Sequence, residues 1–139
     1  MTSGGRYTVT AVTRGDGTAV AHLPGADLVF DASPTQGDEH PGPADLLTAA
    51  FAACMLKNVA RFGEILHFAW QHASVEVQGE RQDTPPKMTA ITYRLTVVTD
   101  EPPHRVELLH RNLTKYGTIY NTLAAVCEVT GEVVTTPAS

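Results

Sequence analysis

Eleven consecutive residues, Leu46 to Leu56 (LLTAAFAACML), are apolar except for Thr48, and any fold this chain adopts has to hide them. The run is too short to cross a bilayer, which takes about 20 residues, and Asp45 precedes it while Lys57 follows it. Gly42 and Pro43 open a helix ahead of it, proline being tolerated in a first turn where its missing N–H has no intrahelical partner, and Asp45 suits the helix dipole. Helical character continues through KNVARFGEIL to about Leu66, with Gly63 a soft spot. A first half this apolar implies burial on nearly all sides, more cover than one small sheet supplies, so a partner subunit is expected over part of it.

Cys54 lies inside this run, and two readings of it stay open. A free cysteine on an apolar helix is commonly a small buried hydrophobe. Against that, Lys57, Asn58 and Arg61 fall on the same side of the helix as Cys54, one and two turns further on, and cations near a sulfur favour the nucleophilic thiolate.

The 139 residues suit a single domain, 1–139, with a core of its own. Hydrophobic residues at 42% against 18% charged describe a globular chain, and a net charge of −5 without a Lys/Arg cluster excludes a nucleic-acid binder. The opening MTSGGRYTVT has no apolar signal core, so a soluble cytoplasmic protein without a membrane segment is expected. In that reducing setting its two cysteines, Cys54 and Cys127, are free thiols.

Before the helix, RYTVTAVTR, TAVAHL and DLVFD read as three short strands of an antiparallel meander, followed by an exposed, breaker-rich loop over residues 32–43. After it, ASVEVQGE and MTAITYRLTVVTD alternate, the second placing Ile91, Tyr93, Leu95 and Val97 on one face, with RQDTPPK as the hairpin loop. PPHRVELLHRNLTKY repeats Val106, Leu109 and Leu113 at helical spacing, TIYNTLAAV reads as a short third helix, and CEVTGEVVTT as a closing strand. The order is β-β-β-α-β-β-α-α-β, an α+β domain.

None of the six histidines falls at ligand spacing and no CxxC occurs, so no metal is expected and the histidines read as surface or capping residues. GxSxG, P-loop and GxGxxG patterns are absent, leaving hydrolase, nucleotide and cofactor readings without support.

GPADLLTAAFAACM resembles the segment of the OsmC/Ohr family that runs Asn-Pro-Glu-Glu/Gln-Leu, a small-residue helix, then Ala-Cys. GTIYNTL resembles that family's second motif, Cys-Pro-aliphatic-Ser-Asn-Thr/Ala-Leu, and the order of elements agrees over nearly the whole chain. The resemblance implies an intertwined homodimer with antiparallel sheets around a long buried central helix. It also implies a thiol peroxidase, with Cys54 in the position that attacks the O–O bond of an organic hydroperoxide and becomes a sulfenic acid. Arg14, in TRGDG, best matches the arginine that favours the thiolate and holds the peroxide.

The chain departs from the family pattern in two places. Gly117 stands where the resolving cysteine belongs, leaving Cys127, ten residues later, as the remaining thiol for that role. Ala44 stands where the family has its glutamate; Asp45 is a substitute, but nine residues at 100° put it on the helical face opposite Cys54. The leading expectation is therefore reduction of organic hydroperoxides by Cys54, with Lys57, Asp45 and Cys127 as auxiliaries and an external thiol as reductant. A non-catalytic dimer that binds an apolar small molecule is the alternative, and acyl or thioester transfer at the same thiol ranks last.

Overall fold

The computed structural model describes residues 4–35, 37 and 39–139; the reading of the first three residues and of positions 36 and 38 in the 32–43 loop lies outside them. The elements follow the expected order: β1 (Thr10–Thr13), β2 (Thr18–Leu23), β3 (Ala26–Asp31), α1 (Pro43–Ile65), β4 (His72–Asp83), β5 (Pro86–Val98), α2 (Pro103–Tyr116), α3 (Thr118–Ala124) and β6 (Glu128–Thr136). They form two compact units, residues 1–46 and 47–139.

In the first unit β1, β2 and β3 make an antiparallel meander. β1 is shorter than the nine residues the alternation suggests, because Thr10 already pairs with His22, next to the end of β2, and residues before it have no strand to pair with. Gly15 and Gly17 turn the chain from β1 to β2 at φ +81° and +96°, a region that bars most side chains. After β3 the Asp31 carboxylate accepts the hydroxyl (2.6 Å) and N–H (2.8 Å) of Ser33 and the N–H of Gly37 (2.9 Å). These bonds, the Ser33 hydroxyl foremost, hold the Asp31 carboxyl below the usual carboxylate range.

In the second unit the sheet order is β4-β5-β6. Here one expectation is corrected: β6 runs parallel to β5, Ala90 opposite Glu128 through Val98 opposite Thr136, so this sheet is mixed rather than antiparallel. The crossover through α2 and α3 carries the chain back past the sheet, and a strand entered after such a crossover lies parallel to the one before it. The β4–β5 hairpin also reaches further than expected, Asp83 pairing with Pro86, so the loop shrinks to Thr84 and Pro85.

Alternation in β5 sets the core. Ile91, Leu95 and Val97 have no exposed surface and Tyr93 keeps 5%, while α1 lays Phe51, Met55, Val59 and Phe62 into the same cluster and α2 and α3 add Leu109, Leu113 and Leu123. Each such side chain stabilises the fold by about 1.5–3 kcal/mol relative to leaving it in water. Within one chain α1 is buried on one side only, and Ala49, Ala53 and Ala60 on another face are exposed, the face on which a partner subunit is expected. At 23 residues α1 is long and apolar enough to cross a membrane, but its Phe51–Phe62 stripe belongs to the core and its second half carries Lys57, Arg61 and Glu64, so it is a core helix.

Gly63 does not interrupt α1; it is buried, and a Cβ there would stand 2.5 Å from Trp70 Nε1, so the missing side chain makes room for the indole. The helix ends two residues after it. Phe68 N–H donates to Gly63 O (2.8 Å) and His67 N–H to Glu64 O (3.2 Å), the paired bonds of a Schellman end, with His67 at φ +51° in the place usually taken by glycine. Arg105 of α2 closes this end, its Nη2 donating to Leu66 O (2.6 Å) and His67 O (3.0 Å).

A non-glycine residue at φ +51° stores strain that His67→Gly removes. The substitution is expected to raise the thermal midpoint by a few degrees, corresponding to roughly 0.5–1 kcal/mol. Thermal unfolding by circular dichroism checks it; an unchanged or lower midpoint would show that the His67 side chain is needed.

Candidate functional site

Cys54 sits half-buried in the middle of α1, one turn after the buried Phe51 and one turn before the buried Asn58. Asn58 Nδ2 donates to the Cys54 carbonyl oxygen at 2.8 Å and stands 3.5 Å from Cys54 Sγ. Facing the sulfur is Gly117, where α2 gives way to α3: a Cβ built on Gly117 lies 3.3 Å from Cys54 Sγ, 3.0 Å from Leu113 O and 3.0 Å from Tyr120 Cβ. The two motifs singled out in the sequence therefore meet, first-motif sulfur against second-motif backbone, across a gap closed by Tyr120.

Tyr120 leads to a polar array that the sequence did not disclose. Its ring lies 5.6 Å from Phe51 and 6.3 Å, edge-on, from Tyr93, and the Tyr93 hydroxyl shares a 2.6 Å hydrogen bond with His110 Nε2 on α2. His110 is thus half-buried in a core hydrogen bond, a correction to its reading as a surface or capping residue. Tyr93 fits because its parallel partner is Gly131, where a Cβ would stand 2.4 Å from the ring. A glycine inside a strand signals such a close approach, and Gly131 was the available clue. Burial first, then the nearby Tyr120, push the Tyr93 hydroxyl far above its ordinary range, and burial pulls the His110 imidazole down, so both stay neutral at pH 7.

The remaining expected site residues lie on several elements. Lys57 is exposed, and Arg61 rests its guanidinium 5.2 Å from the Phe62 ring centroid. Cys127 is buried between α3 and β6, its backbone N–H bonded to Leu123 O at 2.7 Å and its thiol to Met88 O at 3.4 Å. Arg14 and Asp45 belong to the first unit. Arg14 stands exposed on the β1–β2 turn, at a shallow hollow with Val12, Asp16, Thr18 and His22. Asp45 turns back to accept the Gly42 N–H at 2.9 Å, which makes it part of the α1 start.

The site thus holds one half-buried thiol with an amide donor beside it, and a second-motif position that carries no sulfur. The fold agrees with the comparisons. The chain matches the family of OsmC-like proteins over residues 36–132 and belongs to that family. Similar solved structures include an OsmC-like protein from Mycoplasma pneumoniae, 20% identical with a TM-score of 0.85, the match covering 97% of this chain and 99% of the other. An organic hydroperoxide resistance protein OsmC from Legionella pneumophila is 17% identical, TM-score 0.75, covering 94% and 99%. The organic hydroperoxide resistance protein OhrB of Bacillus subtilis is 15% identical, TM-score 0.68, covering 92% and 97%. At these identities the structures establish the fold. No curated protein matches the chain.

The Tyr93–His110 pair gives the fold a pH response. An unfolded histidine takes up its proton near pH 6.5, whereas burial lowers the value for folded His110. Between those two values the unfolded chain binds more protons, so His110 leaves stability intact above about pH 6.5 and erodes it as pH falls below. His110→Gln, which keeps a hydrogen-bonding side chain but does not titrate, is expected to flatten the fall of the melting temperature between pH 7 and 5. An unchanged slope would show that other groups govern it.

Proposed function

We propose that this chain is a cysteine-based hydroperoxide reductase of the OsmC type, spanning 1–139 as one functional domain, with Cys54 as the attacking thiol. The observation that carries the reading is that Cys54 Sγ lies 3.3 Å from where a Cβ on Gly117 would stand, so the first-motif sulfur faces the second-motif backbone. The names of the Legionella and Bacillus relatives, both organic hydroperoxide resistance proteins, point the same way.

In the proposed reaction the Cys54 thiolate attacks the terminal oxygen of ROOH. A sulfur–oxygen bond forms, the O–O bond breaks, and the alkoxide leaves and takes a proton from solvent as ROH. Cys54 is left as a sulfenic acid. Gly117 supplies no thiol to resolve it, so an external thiol attacks the sulfenic sulfur and releases water, and a second thiol frees Cys54 by displacing it from the mixed disulfide. The Cys127 thiol is engaged with Met88 O and serves as a core residue in this scheme. Arg14 is proposed to hold the peroxide, Lys57 to add positive charge, and Asp45 to fix the start of α1.

The exposed alanine face of α1 supports assembly as a homodimer, because Ala49, Ala53 and Ala60 let a second helix approach closely. A reducing cytoplasm would supply the thiols. Apolar neighbours of Cys54 favour organic hydroperoxides over hydrogen peroxide.

Stopped-flow consumption of cumene hydroperoxide is expected to be lost in Cys54→Ser and retained in Cys127→Ser. Equal rates for parent and Cys54→Ser would overturn the reading and leave the alternative, a dimer that binds an apolar small molecule. Gly117→Cys tests the geometry separately. A disulfide places each Cβ about 3 Å from the opposite sulfur, close to the 3.3 Å found here, so peroxide treatment of this variant is expected to join the Cys54 thiol and the introduced thiol in one intramolecular bond. If mass spectrometry finds both of those thiols still free, the geometric reading is contradicted.

A further inference from the structure

The Asn58 side chain has no place in the scheme above, yet it is a carboxamide with 9% exposure on a helix stripe otherwise made of Phe51, Met55, Val59 and Phe62. A buried amide needs partners, and a carbonyl one turn back is a common one. Asn112 on α2 shows that bond by itself, its Nδ2 donating to Leu108 O at 2.8 Å. Asn58 makes the same bond to Cys54 O at 2.8 Å and in addition stands 3.5 Å from Cys54 Sγ. An amide nitrogen carries two hydrogens, so one serves the carbonyl and the second is free for the sulfur.

We propose that Asn58 is a catalytic residue of the Cys54 site, its second Nδ2–H donating to the thiolate and keeping the charged, nucleophilic form populated within an apolar helix. This role rests on the reading of Cys54 as the attacking thiol and adds a group to it. The carboxamide stands on the same rigid helix as the sulfur, four residues on, so the donor needs no loop movement or partner subunit to be in place. A donor to the thiolate raises the fraction of thiol that is charged at neutral pH by more than it lowers the reactivity of each thiolate.

The test uses a reagent that needs no peroxide: iodoacetamide, whose iodide is displaced by the thiolate as the sulfur–carbon bond forms. Alkylation of the Cys54 peptide is followed by mass spectrometry in the full chain. At pH 7 Asn58→Leu is expected to react about threefold to tenfold more slowly than the parent, and Asn58→Asp, which sets a carboxylate beside the sulfur, more slowly still. Near pH 10 Asn58→Leu and parent are expected to converge. A merely structural role predicts a deficit that does not depend on pH. Asn112→Leu, which removes the equivalent bond on α2, is expected to leave Cys54 alkylation unchanged.

Asn58→Ala guards against a leucine that disturbs packing and is expected to show the same pH-dependent deficit. Parent-like rates at pH 7 in both Asn58→Leu and Asn58→Ala, or a deficit that persists unchanged to pH 10, would overturn the proposal. A parent protein that alkylates as described but ignores hydroperoxides would instead sink the peroxidase reading and leave the sulfur–amide contact standing.

Discussion

The second unit depends on the seating of α1 against β5. Phe51, Met55, Val59 and Phe62 recur at helical spacing, Ile91, Tyr93, Leu95 and Val97 at strand spacing, and the two rows bury one another. Whatever chemistry Cys54 performs is aimed by that contact. The sulfur lies one turn beyond Phe51, so fixing the phenylalanine in the core fixes the direction in which the thiol faces.

The same contact explains why the thiol is only half-buried. A helix whose apolar residues all pointed one way would leave Cys54 either sealed in the core or open to water. Here the Phe51–Phe62 stripe is covered by β5, while Ala49, Ala53 and Ala60 are not covered within the chain, and Cys54 stands at neither extreme. Packing from α2 and α3 then determines what meets the sulfur. Leu113 and Leu123 anchor those helices in the core, and the turn between them presents Gly117. With Tyr120 Cβ, Leu113 O and Cys54 Sγ all within 3.0–3.3 Å of where a side chain would start, the glycine is crowded rather than open. Gly117 thus carries no thiol, and Leu113 and Tyr120 close in around its backbone.

Much of this was legible in the sequence, for physical reasons that differ by element. Strand alternation around Ile91–Val97, helical spacing of Leu109 and Leu113, and the proline-opened start of α1 are local patterns, and the structure follows them. The family resemblance, resting on GPADLLTAAFAACM and GTIYNTL, pairs the Cys54 and Gly117 positions, which face each other in the structure. What stayed hidden depends on long-range partners. Tyr93, Tyr120 and His110 are far apart in the chain, and no spacing rule joins them; Gly131 alone hinted that something lies over β6. The parallel pairing of β6 was hidden as well, because alternation sets which face a residue takes and says nothing about strand direction. Asn58 was visible as a neighbour of Cys54 on the helix, but its amide contact with the sulfur required the side-chain position.

The central claim is that Cys54 is a peroxide-reactive thiol without an internal resolving partner. It is tested most directly by the intact mass of the protein after one equivalent of cumene hydroperoxide, read with and without a small-molecule thiol. The account predicts one added oxygen atom on Cys54, replaced by a mixed disulfide when thiol is present and lost when thiol is in excess. An unchanged mass, or a Cys54–Cys127 disulfide in place of the added oxygen, would contradict it.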